Sequence, residues 1–134
     1  MADIAITAAS VIGDGSSPRE TNTAGVAIAA GQYVYLDDVT HTYKLSDSNA
    51  AGAKTCRGVA LNSAAAGQPL TIQKSGPVTV GGTLVKGSTY CQSTTPGGIC
   101  PQADITTGGD VVVLGVAIST TQLSLNIQVP GVTL

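Results

Sequence analysis

Period-two alternation of apolar and polar residues is the strongest local signal along the chain. It is cleanest from Leu123 to Val129, where Leu123, Leu125, Ile127 and Val129 fall on one face of an extended segment and Ser124, Asn126 and Gln128 on the other. That pattern predicts a half-buried strand. Residues 70–73, 78–80 and 3–7 repeat it over shorter lengths, and the unbroken β-branched run at 111–114 is what a strand covered on both faces carries. Turn signals separate these segments: Asp14-Gly15, Ala30-Gly31, Gly81-Gly82, Pro96-Gly97-Gly98 and Gly108-Gly109. Short strands at this spacing predict a mainly β protein, a β-sandwich or barrel of short antiparallel strands. One segment departs from the rule. Over 46–55 the chain offers Ser46 as an N-cap, Asp47 in a first turn and Lys54 near the end, which predicts one short helix. The matching stretch 101–111 predicts only a loop.

The chain also copies itself. "LTIQKSG" at 70–76 returns as "LNIQVPG" at 125–131, "GVALNS" at 58–63 as "GVAIST" at 115–120, and Gly31-Gln32-Tyr33 loosely as Gly87-Ser88-Thr89, at shifts of 55, 57 and 56 residues. A nearly constant shift predicts two related halves, about 25–80 and 81–134, inside a single β domain spanning 25–134. Two such units can pack their apolar faces together and close one barrel or sandwich. Residues 1–24 stand outside the repeat as an N-terminal strand or arm followed by the polar stretch "GDGSSPRETNT". That stretch reads as a surface loop. A second reading makes the whole segment an extended arm that adds Ile4 and Ile6 to a neighbour's sheet edge through main-chain hydrogen bonds.

Composition sharpens this picture. The chain has 134 residues, enough for one domain, but its hydrophobic fraction of 43% is mostly Ala and Val, with no Phe or Trp and 4 Tyr. Only 10% of residues are charged, so the surface is poorly charged and suited to association. The 6 basic and 8 acidic residues form no run of either sign, which argues against a nucleic-acid partner. Every apolar run is interrupted well before the length of a membrane span, so no membrane partner is expected. "MADIAITAAS" carries Asp3 where a secretory signal is basic, and predicts synthesis and retention in the cytoplasm.

Candidate chemistry is sparse. The single histidine, His41, sits in "DDVTHTY", a pattern expected at a solvated hairpin tip. Asp37, Asp38 and Asp47 match no calcium-loop spacing, and no nucleophile elbow, zinc-protease pair or phosphate loop is present. The expectation is a protein that is not an enzyme and uses no cofactor or metal. Cys91 and Cys100 flank eight turn-rich residues, so a hairpin would bring them within disulfide reach; two reduced thiols are the competing reading. Cys56 reads as a small core residue. Tyr33 and Tyr35 share one face of a strand and read either as the rim of the core or as an interface anchor.

The order "TAGVAIAAGQYVYLDD", "YKLSDSNAAGAKTCRGVALN", "AAGQPLTIQKSGPVTVG", "LVKGSTYCQSTTPGGICP" and "VVVLGVAISTTQLSLNIQVPGV" resembles the capsid cement, or head decoration, proteins of tailed bacteriophages over nearly the whole chain. The "CQSTTPGGIC" turn matches that pattern least. The resemblance implies a structural virion protein on the outer surface of an assembled capsid, made in the host cytoplasm. It implies a homotrimer whose partner is the major capsid protein and whose task is mechanical, stabilising the shell against internal pressure. An alternative is a fibre or adhesin-type β module that binds a glycan or surface receptor through exposed loops.

Overall fold

The computed structural model describes residues 3–47, 53, 55–105 and 110–129, and the chain is mainly β. Among the described residues, eleven strands form two antiparallel sheets. They are β1 (Ile12–Gly13), β2 (Arg19–Thr23), β3 (Tyr33–Leu36), β4 (Tyr43–Leu45), β5 (Gly58–Ala60), β6 (Pro69–Gln73), β7 (Ser75–Thr79), β8 (Thr89–Gln92), β9 (Ile99–Pro101), β10 (Val113–Ala117) and β11 (Gln122–Gln128). The five-stranded sheet has the order β2-β6-β5-β3-β4, and the six-stranded sheet the order β1-β7-β11-β10-β8-β9. Apart from the extra edge strand β1, the two orders are the same plan written twice.

The correspondence extends to register. The cross-strand pairs Tyr33↔Val59 and Val34↔Gly58 recur as Thr89↔Val116 and Tyr90↔Gly115, and Leu36↔Tyr43 recurs as Gln92↔Ile99. One face of each sheet is therefore equivalent. Val34, Tyr43 and Ala60 lie in a core on one side of the five-stranded sheet, while their counterparts Tyr90, Ile99 and Ala117 lie in the core between the sheets. We call this the front of each unit. The back of the first unit, through Tyr33 and Val59, packs into the front core of the second, joined by Cys56 from the chain just before β5.

The two units thus stack front to back around one apolar core, forming the β-sandwich of antiparallel sheets expected from sequence. The reason is periodicity: Tyr33 and Val34 are adjacent, point to opposite faces and are both fully buried, so the five-stranded sheet needs cover on two sides. Its front is covered by residues 24–30, where Ala24 N–H donates to Gln68 O (2.9 Å) and Ile28 pairs with Ala64 through both main-chain bonds (2.9 and 2.8 Å). Burying Tyr33 and Val59 contributes on the order of 2 kcal/mol each. Against a net stability of about 5–15 kcal/mol for a domain, that ties the units into one cooperative body.

Other expectations also change. The run at 111–114 is not covered on both faces: Val112 and Leu114 are buried while Val113 is half-exposed. The polar stretch expected as a loop contains β2, an edge strand that pairs with β6 from Arg19↔Gln73 to Thr23↔Pro69. Thr and Glu serve there because only one face meets the core. Residues 3–7 run extended without forming a ladder strand. The helix expected over 46–55 falls mostly outside the described residues; Ser46, expected to cap it, is fully buried and donates instead to Gln92 Oε1.

Polar links pin the two sheets. Only Lys74 separates β6 from β7, so the chain steps directly from one sheet to the other. Gln73, fully buried beside that step, accepts from Asp14 N–H (2.9 Å) and donates to Ser75 O (3.0 Å) and Pro77 O (2.7 Å). At the opposite side Tyr33 N–H donates to Gly97 O (3.1 Å) and Gly97 N–H to Ser46 O (2.8 Å), joining the β8–β9 turn to the first unit. On the front of the first unit Arg57 grips Glu20 with two bonds of 2.6 Å, and Tyr43 Oη donates to the same carboxylate at 2.5 Å.

The Arg57 guanidinium, helped by the Tyr43 hydroxyl and Lys74 and opposed by burial, holds the Glu20 carboxyl at about 2 against an ordinary 4.5. Because the folded value lies below the unfolded one, the contribution is complete above pH 4.5 and disappears as pH falls through about 2. Solvent reaches both partners, which limits it to on the order of 1 kcal/mol. Urea unfolding between pH 6 and pH 2.5 is expected to show wild-type stability falling more steeply than that of Glu20→Gln. Parallel curves would mean that the ion pair contributes nothing.

Candidate interaction surface

The hairpin tip between β3 and β4 holds the chain's histidine. Asp37 Oδ1 accepts from Val39 N–H (2.8 Å) and Thr40 N–H (3.0 Å), and its Oδ2 lies 3.1 Å from Lys44 Nζ. Those backbone donors, first that of Thr40, hold the Asp37 carboxyl well below the usual carboxylate range. His41 adopts a left-handed backbone at φ 55, and its N–H donates to Asp37 O (2.9 Å). Asp37 therefore builds the turn. Among the described residues no cluster of three His, Cys, Asp or Glu is placed to hold a metal ion.

The two tyrosines singled out by sequence part company. Tyr33 is fully buried between the sheets, so within the folded chain it is core and not an interface anchor. Its hydroxyl has no hydrogen-bond partner among the described residues, and burial pushes its pKa further up. Tyr35, on the same face, is half-buried at a hollow lined also by Leu36, Asp38, Thr55, Cys56 and Arg57. The first tyrosine packs against the second unit, and the other faces this hollow.

Ile4 and Ile6 are half-buried and pack against the core between the sheets of their own chain. Ile4 N–H donates to Ile99 O (2.9 Å) on edge strand β9, Thr7 N–H to Gly81 O (2.9 Å), and Ser93 Oγ to Asp3 Oδ1 (2.6 Å). The seat is shaped by glycine: a Cβ at Gly81 would stand 2.5 Å from Thr7 O and one at Gly82 2.6 Å from Ala5 O. Within the chain the arm thus lies in a fitted groove on its own domain.

Cys91 and Cys100 are register partners on β8 and β9, both fully buried, and both stand as thiols. Of the two readings their spacing left open, a disulfide or two reduced thiols, the structure carries the thiols. Burial pushes Cys91 up to about 11 and Cys100 up to about 12, which leaves the unreactive protonated form at neutral pH. The hairpin is already closed by its ladder and by Gln92, whose amide donates to Gly98 O (2.8 Å). Cys56, likewise buried, is held as a thiol at about 12, as expected for a core residue.

Sequence reasoning missed the back of the second unit. No strand of the six-stranded sheet contains Asp, Glu, Lys or Arg. Its outward face forms a shallow trough lined by Thr89, Val113, Val116, Ser124, Asn126 and Gln128, continued toward β1 by Pro77, Thr79, Ile118 and Ile12, with Asp14 of the following turn at that end. Val116, Ile118 and Ile12 are 42%, 45% and 64% exposed. An uncharged sheet face with three exposed aliphatic residues is suited to contact another surface. The signal available in sequence was the absence of charge from 75–79, 89–92, 99–101 and 113–128, a feature of composition that no motif marks.

Two stability measurements test these placements. Tyr33→Phe removes a buried hydroxyl without a partner and is expected to raise the urea unfolding free energy by about 1 kcal/mol; a loss would show that the hydroxyl is satisfied. Deleting residues 1–8 uncovers the groove and is expected to cost on the order of 2 kcal/mol, so an unchanged midpoint would mean that the arm is not seated. Comparison with protein-family models, curated proteins and solved structures finds no match.

Proposed function

We propose that the protein is a decoration, or cement, protein that binds the outside of an assembled phage capsid and stabilises it. The observation that carries this reading is the uncharged outward face of the six-stranded sheet with Val116, Ile118 and Ile12 exposed on it. A rigid β scaffold presenting such a face is suited to bind a surface, and the resemblance of the motif order to head decoration proteins supports a capsid as that surface. The partners are the major capsid protein and further copies of the chain as a homotrimer. The place of action is the virion exterior, and the role is not enzymatic.

The mechanism is thermodynamic linkage. A protein that binds only the assembled, expanded lattice stabilises it by RT ln(1 + [L]/Kd) at each site. A trimer that touches several shell subunits rebinds intramolecularly when one contact breaks, so occupancy survives local loss. Work done by internal pressure on the shell must then also break these contacts.

The test is to band particles from the source lysate on a density gradient and quantify this chain against the main shell protein by mass spectrometry. Near-equal stoichiometry is expected. Absence, or a few copies per particle, would overturn the cement role and favour a fibre or adhesin module.

A further inference from the structure

Cys91 and Cys100 face each other across the β8–β9 ladder at the edge where the arm is seated. Gln92 N–H donates to Val112 O (2.9 Å), away from β9, whereas Ser93 N–H donates to Gly98 O (3.1 Å) within the hairpin. Main-chain groups alternate in direction along a strand, so those of Cys91 point at β9 and Cys91↔Cys100 is a hydrogen-bonded pair. Their chain neighbours Tyr90 and Ile99 lie in the core between the sheets, so both sulfurs take the opposite face and share one side of the hairpin. Partners of this kind stand about 5.5 Å apart at Cα, inside the span of a disulfide. Their Cβ atoms, about 5 Å apart, need an approach of roughly 1 Å. β9 is a three-residue edge strand, bonded to a ladder on one side only, and can make that shift.

The pair is bracketed by the groups that hold the arm. Ile99, just before Cys100, accepts from Ile4 N–H (2.9 Å), and Ser93, two residues after Cys91, donates through Oγ to Asp3 Oδ1 (2.6 Å). A link between the two cysteines would fix both of these anchors at once.

We infer that Cys91 and Cys100 are a redox staple, open as two thiols in a reducing medium and closed to a cross-strand disulfide by a small disulfide oxidant, which locks the edge that seats the arm. One cysteine thiolate attacks the oxidant's S–S bond and releases a thiolate. The second cysteine then attacks the mixed disulfide at the protein sulfur and releases the other half of the oxidant. Two protein thiols are oxidised to one disulfide, the oxidant is reduced to two thiols, and the two protein protons pass to solvent and the released thiolates. Both sulfurs are buried, so the reaction proceeds through opening of the hairpin edge and is slow. The inward pull on the Cβ atoms strains the closed bond and keeps it reducible. Cys56 is buried in the core between the sheets, away from the ladder that pairs the other two, and stays a thiol. The inference stands without the capsid role; on that reading, release of particles from the cytoplasm supplies the change of medium.

The test incubates the full chain with oxidised glutathione at neutral pH without denaturant. Intact mass is expected to fall by two hydrogens, a non-reducing digest to join the peptides holding Cys91 and Cys100 with Cys56 free, and dithiothreitol to reverse both. Amide exchange at Ile4 and Ser93 is expected to slow roughly tenfold in the oxidised chain. Cys100→Ala should keep its mass and its exchange rates in the oxidant; if that variant does not fold, peptide mapping of the wild type decides alone. An unchanged mass after the Ser93 amide of the reduced chain has exchanged would overturn the inference, because the edge has then opened without reacting. So would a lasting glutathione adduct, a bond that includes Cys56, or a bond that forms only in urea. A 91–100 bond that leaves the exchange of Ile4 unchanged would overturn the lock on the arm.

Discussion

The amide of Gln73 fixes the relation between the two units. With only Lys74 between β6 and β7, the chain must leave one sheet and enter the other almost at once. A crossover that tight turns main-chain carbonyls inward, where an unmet acceptor costs about 1–3 kcal/mol. Gln73 meets this by donating to Ser75 O and Pro77 O and accepting from Asp14 N–H, so every strong hydrogen-bonding group of its side chain is used in a site without solvent. Rigid at that step, the second sheet can lie only one way against the first.

That placement permits an economy of large side chains. A chain without Phe or Trp cannot fill a wide core with a few aromatics. Instead it stacks two thin units, shares the middle layer, and closes the outer layer with an alanine-rich segment whose main chain comes close to the sheet. Three of the four tyrosines are fully buried: Tyr33 and Tyr90 between the sheets and Tyr43 at the front of the first unit. The hydroxyls of the latter two find partners, Tyr90 from Val85 N–H (2.8 Å) and Tyr43 at Glu20.

Much of this was legible in sequence. Alternation located β11 and β6 nearly to the residue, and the internal copies at 58–63 and 115–120 marked strands in equivalent places. The facing of those copies was not legible. Val59 is buried and Val116 is exposed although both sit in Gly-Val-Ala, because burial here depends on what lies behind the sheet and not on the strand's own pattern. β2 escapes a reading by pattern because an edge strand that buries one face can be polar in composition. The arm's seat within the chain was not legible because two isoleucines in an extended segment look the same whether their groove belongs to the same chain or another. The groove is written at Gly81 and Gly82, far along the sequence, and glycine reads there only as a turn.

Front-to-back stacking also sets opposite demands on sister positions. A residue inherited in duplicate finds itself in an interior at one copy and at a boundary with water at the other, so a duplication of this kind is unstable in composition until the two diverge. Tyr33 and Thr89 show that divergence at one register position. A tyrosine at 89 would carry the interior's stickiness to the surface, and a threonine at 33 would carry the surface's thirst into the interior. The imperfection of the repeat therefore follows from an arrangement in which, within the chain, one copy has a unit packed behind it and the other does not.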